Sequence, residues 1–244
     1  MERIKQNKQN RDSHGADKQN KQNRDSHGVD NYMGIISQLT TQIGKCGEFG
    51  NRRVAGMCLE NPDLLGEIAD GLECGNPLIM GDCAEVMTMV AQNEPEFILP
   101  YISEIVPLVD HPKARVRWEA VHALSLIAGL APHFIWKLLP RFDEIIHNDQ
   151  SIIARDCAVR AVANYAGTGK SASEDAYPIL IKAVYVRDAR HGHLAINGLI
   201  KTLDFLPENT DELEKIGLEF MDSKRGVLKK AARRLLKAID SIKV

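Results

Sequence analysis

Residues 116–128, VRWEAVHALSLIA, lie without a gap on residues 154–166, ARDCAVRAVANYA, and residues 228–239, LKKAARRLLKAI, fit the same frame. In each stretch apolar side chains recur at i, i+3, i+4 and i+7, the spacing that gathers them on one face of an α-helix. Weaker copies begin at Asn51 (NRRVAGMCL), Met80 (MGDCAEVMTMV) and Gly192 (GHLAINGLI). Taking the second residue of each copy as an index gives Arg52, Gly81, Arg117, Arg155, His193 and Lys229, separated by 29, 36, 38, 38 and 36 residues. A period near 37 is the mark of a repeat architecture, in which no unit buries its apolar face alone and neighbours must stack.

Two columns of this alignment say how the units meet. Three places after the index stand Ala55, Ala84, Ala120, Ala158, Ile196 and Ala232, five alanines in six, as expected where one helix backbone approaches another closely. Six places after it stand Cys58, Met87, Ala123, Ala161, Leu199 and Leu235, all apolar. Alternating polar and apolar runs bounded by turns, the sign of strands, are missing, so the class is all-α.

Each of these helices follows another, and several of the preceding ones carry an internal proline, Pro100, Pro140 and Pro178, which kinks a helix. Two helices per period, a proline in the first, an Asp/Asn-rich turn and then Val-Arg opening the second resemble the HEAT repeat. The resemblance implies a right-handed α-solenoid of about six antiparallel helix pairs over residues 33–244, with a curved surface lined by the second helices. An armadillo arrangement stays open, although two long helices without a short third favour HEAT. In the HEAT family the basic residue opening the second helix commonly pairs with an Asp from the turn. Asp149 and Arg155 stand at that spacing, while Asp110 to Arg117 and Asp222 to Lys229 are one residue longer, and Gly81 and His193 depart from the pattern. The index column therefore has two readings: an internal ladder, or a basic stripe for phosphates or acidic peptides.

Residues 5–17, KQNKQNRDSHGAD, and 18–30, KQNKQNRDSHGVD, differ only at Ala16 and Val29. So little apolar surface cannot offset the entropy of ordering, and residues 1–32 read as a disordered low-complexity arm. The remainder, in a chain of 244 residues that is 44% hydrophobic and 26% charged, suffices for a sizeable core. No apolar run approaches the ~20 residues of a membrane span. The N-terminus has no apolar leader, and the five cysteines, Cys46, Cys58, Cys74, Cys83 and Cys157, are expected within helices and contain no C-x-x-C pair. Both features point to reduced thiols and to the cytoplasm, or equally the nucleus.

The net charge of −2 conceals a segregation: residues 54–112 hold eleven Asp/Glu and no Lys or Arg, whereas the last 22 residues hold eight Lys/Arg and one Asp. On a helix, Lys229, Arg233 and Lys237 form one row and Lys230 and Arg234 another, opposite Leu228, Ala232, Leu235 and Ile239. Such opposed ends admit head-to-tail self-association.

Signs of chemistry are few. Residues 167–171, GTGKS, match the end of a phosphate-binding loop, but Asn164 stands where its first glycine belongs and a helix precedes it, so an interhelical loop with Ser171 or Ser173 as cap is expected. Gly44, Gly47 and Gly50 read as a turn, and His191 and His193 have no Cys or carboxylate at ligand spacing. Trp136, with Phe134 and Leu139, reads as a first-helix core face. The absence of any His-Glu pair removes the iron signature of HEAT-like deoxyhypusine hydroxylases. The sequence thus describes a non-enzymatic interaction scaffold without cofactor or metal, its partner a protein. Its candidate contact residues are Arg52, Arg117, Trp118, Arg155, His193, Lys229, Lys230, Arg233, Arg234 and Lys237. The alternative is a nucleic-acid-binding helical repeat that resembles the DNA-alkylation-repair glycosylases, for which Trp118, Glu119 and Asp156 would be the aromatic and acidic residues.

If Arg233 and Arg234 are surface residues, changing both to Glu should leave helicity intact and shift stability in urea by no more than about 0.5 kcal/mol each; a much larger loss would make them structural.

Overall fold

A computed structural model describes residues 34–45 and 47–242. The arm expected over residues 1–32, together with Cys46, lies outside the described residues. In chain order the α-helices are α1 (Phe49–Glu60), α2 (Leu65–Leu72), α3 (Pro77–Ala91), α4 (Ile102–Ile105), α5 (Ala114–Ile127), α6 (Pro132–Asn148), α7 (Ile152–Ala166), α8 (Lys170–Ala189), α9 (Gly192–Thr202), α10 (Thr210–Phe220) and α11 (Gly226–Ile242). No strand occurs among the described residues.

All six index positions fall in α1, α3, α5, α7, α9 and α11, and each of these second helices packs on the next to form one continuous row. The first helices α2, α4, α6, α8 and α10 form the other layer. This is an all-α helical-repeat solenoid. Among the described residues, a 3-10 turn at Ile35–Gln38 precedes α1 in the first unit.

The two columns behave as their chemistry requires. Ala55, Ala84, Ala120, Ala158, Ile196 and Ala232 are buried, and the apolar residues three places further on are wholly so. The approach is close between α7 and α9, where a Cβ added to Gly198 would stand 2.7 Å from the Cβ of Ala163. Local signals set the boundaries. Asn76 accepts a hydrogen bond from Leu78 N and is followed by Pro77 at the first position of α3, and Ser151 accepts from Ala154 N to open α7.

Proline has a different effect in each repeat. Pro100 lies in a 3-10 stretch, Pro95–Tyr101, and a second one, Val106–Asp110, follows α4, so this first helix is broken into three pieces. Pro140 and Pro178 are carried inside α6 and α8. In α8 the break comes later: Val186 turns to ψ 130°, and Arg187, Asp188 and Ala189 adopt φ of 49°, 57° and 57°. Left-handed backbone at three successive non-glycine residues costs about 1 kcal/mol or more at each. The turn delivers His191, fully buried, to the interior. Cys74 also departs from expectation, lying in the turn between α2 and α3 rather than in a helix.

The first units are tied together by one buried carboxylate. Asp82 on α3 accepts from Thr41 N (2.8 Å), Thr41 Oγ1 (2.6 Å), Asn51 Nδ2 (3.0 Å) and Arg115 Nη2 (2.6 Å). Burial alone would raise its pKa, but these donors outweigh it and hold the carboxyl below its ordinary value. Stability from ionised Asp82 is therefore complete above the ordinary value of 3.8 and is lost as pH falls through the lower folded-state value. Asp82→Asn should cost about 3–5 kcal/mol at neutral pH and flatten the acid limb of a denaturation profile below about pH 4; an unchanged limb would assign acid sensitivity to other groups.

Candidate interaction surface

The index residues do not form a single stripe. Arg117 grips Asp149 with two bonds, Nε to Oδ2 at 2.6 Å and Nη2 to Oδ1 at 3.1 Å, while Nη1 reaches His111 O at 2.8 Å. Asp149 also accepts from Ser151 N, and these donors hold its carboxyl low against the opposing effect of burial. The expected pairing of Asp149 with Arg155 is thus corrected: the aspartate serves the arginine of the preceding repeat. Arg155, only 4% exposed, instead donates to the backbone oxygen of Asp149 and, at 3.2 Å, to His191 Nε2. With Nε2 accepting, His191 Nδ1 carries the proton that faces Asp156. Asp110 pairs with Arg141 rather than with Arg117. Asp222 does meet Lys229, at 3.6 Å.

Where the pattern departed, neighbours fill the gap. A Cβ on Gly81 would touch the side chain of Arg115 at 3.4 Å, and Arg115 lies there to reach Asp82 and Glu85 at 2.6 and 2.7 Å. His193 is half-buried and its pKa is lowered, chiefly by desolvation. Arg52 is exposed and, among the described residues, paired with Glu48 alone, one turn away.

Further contacts recur between consecutive second helices at nearly the repeat period. Thr88 Oγ1 donates to Glu119 O (3.1 Å), Asn164 Nδ2 to Ser125 O (2.8 Å), Lys201 Nζ to Asn164 Oδ1 (2.7 Å) and Arg234 Nη2 to Asn197 Oδ1 (2.7 Å). They mark one edge of the row.

Two charged grooves lie on this row. The first, of about 460 Å³, is bounded by α1, α3 and α5 and lined by Glu48, Arg52, Glu85, Thr88, Glu119 and His122 among others. Trp118 Nε1 donates to Glu119 Oε1 at 2.9 Å, and no salt bridge reaches that carboxylate among the described residues. Burial, aided by Glu85, pushes the Glu119 pKa up in spite of the Trp118 bond, while burial and Arg160 push that of His122 down. Glu85 is already matched by Arg115 and Asn51. The second groove, about 400 Å³, is bounded by Gly226, Lys229, Lys230, Arg233, Arg234 and Lys237, with Leu228, Ala232, Leu235 and Ile239 buried opposite as expected. Arg233 and Arg234 are exposed.

Other expectations are redrawn. Trp136 and Phe134 are 55% and 37% exposed, so only Leu139 belongs to the core; the two rings stand at the outer boundary of α6. Residues 167–171 join α7 to α8, and neither serine caps α8: Gly169 precedes it without a side-chain bond, and Ser173 Oγ turns back to Ala166 O. Trp118 and Glu119 bond to each other, whereas Asp156 belongs to His191, so the set proposed for a glycosylase is divided between two local networks. Among the described residues no cluster of His, Cys, Asp and Glu could hold a metal, and no helix is long and apolar enough to cross a membrane.

No protein-family model matches the chain, and no curated protein matches it. Solved structures do. A designed armadillo repeat protein in complex with the peptide (KR)4 is 18% identical with a TM-score of 0.63, covering 84% of this chain and 98% of its own. Computationally designed armadillo repeat proteins for modular peptide recognition are 15% identical with a TM-score of 0.62 over the same shares, 84% and 98%. An engineered protein is 16% identical with a TM-score of 0.61, covering 86% of this chain and 98% of its own. At such identities the likeness establishes the helical-repeat solenoid and nothing finer.

The geometry separates ladder from surface by experiment. Arg117→Ala should cost about 3 kcal/mol or more in urea denaturation, because it strands Asp149, whereas Arg52→Ala should stay within about 0.5 kcal/mol. Equal losses would refute the division.

Proposed function

We propose that the chain is a non-enzymatic scaffold of HEAT type, working in the cytosol or nucleus, that holds an extended protein segment along its row of second helices. The regular repeats, α6 with α7 and α8 with α9, consist of two helices and a short loop without a third helix, which supports HEAT over armadillo. The observation that carries the binding reading is the groove of α1, α3 and α5, where Glu119 stands desolvated, with the neutral donors Trp118 and Thr88 beside its carboxylate and no salt bridge to it among the described residues. A desolvated carboxylate is costly unless paired, and a Lys or Arg side chain from a guest would complete it.

The two index arginines that the solenoid occupies, Arg117 and Arg155, have no part in this surface. Arg52, Met89 and His122 border it and set the size of the side chain admitted, while Trp118 acts through its bond to Glu119. The designed armadillo protein bound to (KR)4 shares the fold, and an extended cationic peptide is the guest chemistry that this groove's own carboxylates favour.

A fluorescent Lys/Arg peptide of about eight residues tests the reading. Glu119→Gln should weaken binding about tenfold, equivalent to 1.4 kcal/mol, with unchanged melting. Because burial raises the Glu119 pKa, wild-type binding should begin to fall on acidification at a higher pH than an ordinary glutamate would give, and Glu119→Gln should remove that limb. An affinity unaffected by the substitution would contradict the proposal.

A further inference from the structure

The basic face of α11 and the acidic outer surface of the second and third repeats lie outside the lining of the first groove, and each carries charges without an ion pair among the described residues. On α11, among the described residues, Lys229 and Arg233 pair with Asp222, at 3.6 and 3.8 Å, and Arg234 reaches the amide of Asn197. Lys230 and Lys237 form no ion pair among the described residues, yet all five cations border one open groove of about 400 Å³. Among the eleven acidic residues between positions 54 and 112, ion pairs with other described residues engage Asp82, Glu85 and Asp110 alone. In the outer layer Asp63 stands in the 3-10 turn Pro62–Leu64, Asp70 on α2 and Glu104 on α4, and α2 packs against both of the others; Asp63 and Asp70 are exposed and Glu104 half-buried, and none of the three has an ion pair among the described residues.

These patches cannot neutralise each other inside one molecule. Four helix-to-helix steps separate α3 from α11 along the row, and at 8–10 Å per step that is roughly 32–40 Å. The screening length at 0.1 M salt is about 10 Å. A second copy, by contrast, always brings one acidic face for each basic face. A polyanion such as nucleic acid fits less well, because the chain as a whole is net −2 and its first half would repel it.

We propose that the α11 face formed by Lys229, Lys230, Arg233, Arg234 and Lys237 docks on the outer surface around Asp63, Asp70 and Glu104 of another copy of this chain. The two surfaces differ, so the contact is heterologous, and successive copies add head to tail unless the rotation closes a ring. Association is held by exposed charge and is dissolved by salt.

Sedimentation velocity on the full chain, freed of nucleic acid, tests this. At roughly 20 mM salt the mass should rise with concentration to at least twice 27.1 kDa, and at roughly 500 mM it should return to 27.1 kDa. Lys230→Gln/Arg233→Gln/Lys237→Gln and, separately, Asp63→Asn/Asp70→Asn/Glu104→Gln should each be monomeric at low salt. Mixed in equal amounts they should give a 1:1 dimer that grows no further, since only one working face of each kind remains. A single monomeric species for the wild type at every salt concentration overturns the proposal, as does association that either variant retains. So does a wild-type mass that rises only when nucleic acid is added.

Discussion

Everything in this molecule depends on how closely consecutive second helices can approach. Alanine at five of six positions, and Gly198 against Ala163, allow backbones to meet with little side chain between them. Such packing makes each repeat the lid of the one before, so stability accumulates by nearest-neighbour interfaces rather than in one central core. It also leaves one edge of every second helix free to carry polar groups, and those groups either bridge to the next repeat or face solvent.

The polar edge divides along the chain according to charge. In the first repeats a carboxylate, Asp82, is the hub and its donors come from the units on both sides. In the middle repeats the hub is an arginine: Arg117 closes on Asp149, and Arg155 threads between a backbone oxygen and His191. In the last repeat the cations outnumber their partners and turn outward. The same sequence position thus serves as internal fastener in the middle of the stack and as surface on α11, because a middle helix has a neighbour on each side and, among the described residues, α11 meets α9 alone in its row.

Fold class, repeat number and buried columns were legible because spacing along one helix determines which residues share a face. The basic and apolar faces of α11 were legible for the same reason. Partner choice was not. The interval from Asp149 to Arg155 does not reveal that Arg117, 32 residues earlier, faces the aspartate, since stacking brings turns of adjacent repeats together. Arg115 was overlooked although it stands two residues before an index arginine; two residues are about 200° of helix, so the pair points to opposite sides. His191 was hidden by the backbone break at Arg187 to Ala189, which no residue in the local sequence signals. Trp136 was read as core because its spacing is apolar, but it stands at the edge of that face, where a large ring projects past its neighbours.

The groove of α1, α3 and α5 is where fold and proposed function meet. Amide chemical-shift mapping of the labelled chain with an unlabelled Lys/Arg peptide addresses it most directly. The account predicts perturbations concentrated on α1, α3 and α5 around Thr88, Glu119 and His122. Perturbations confined to α11 or to the outer layer near Trp136 would contradict it.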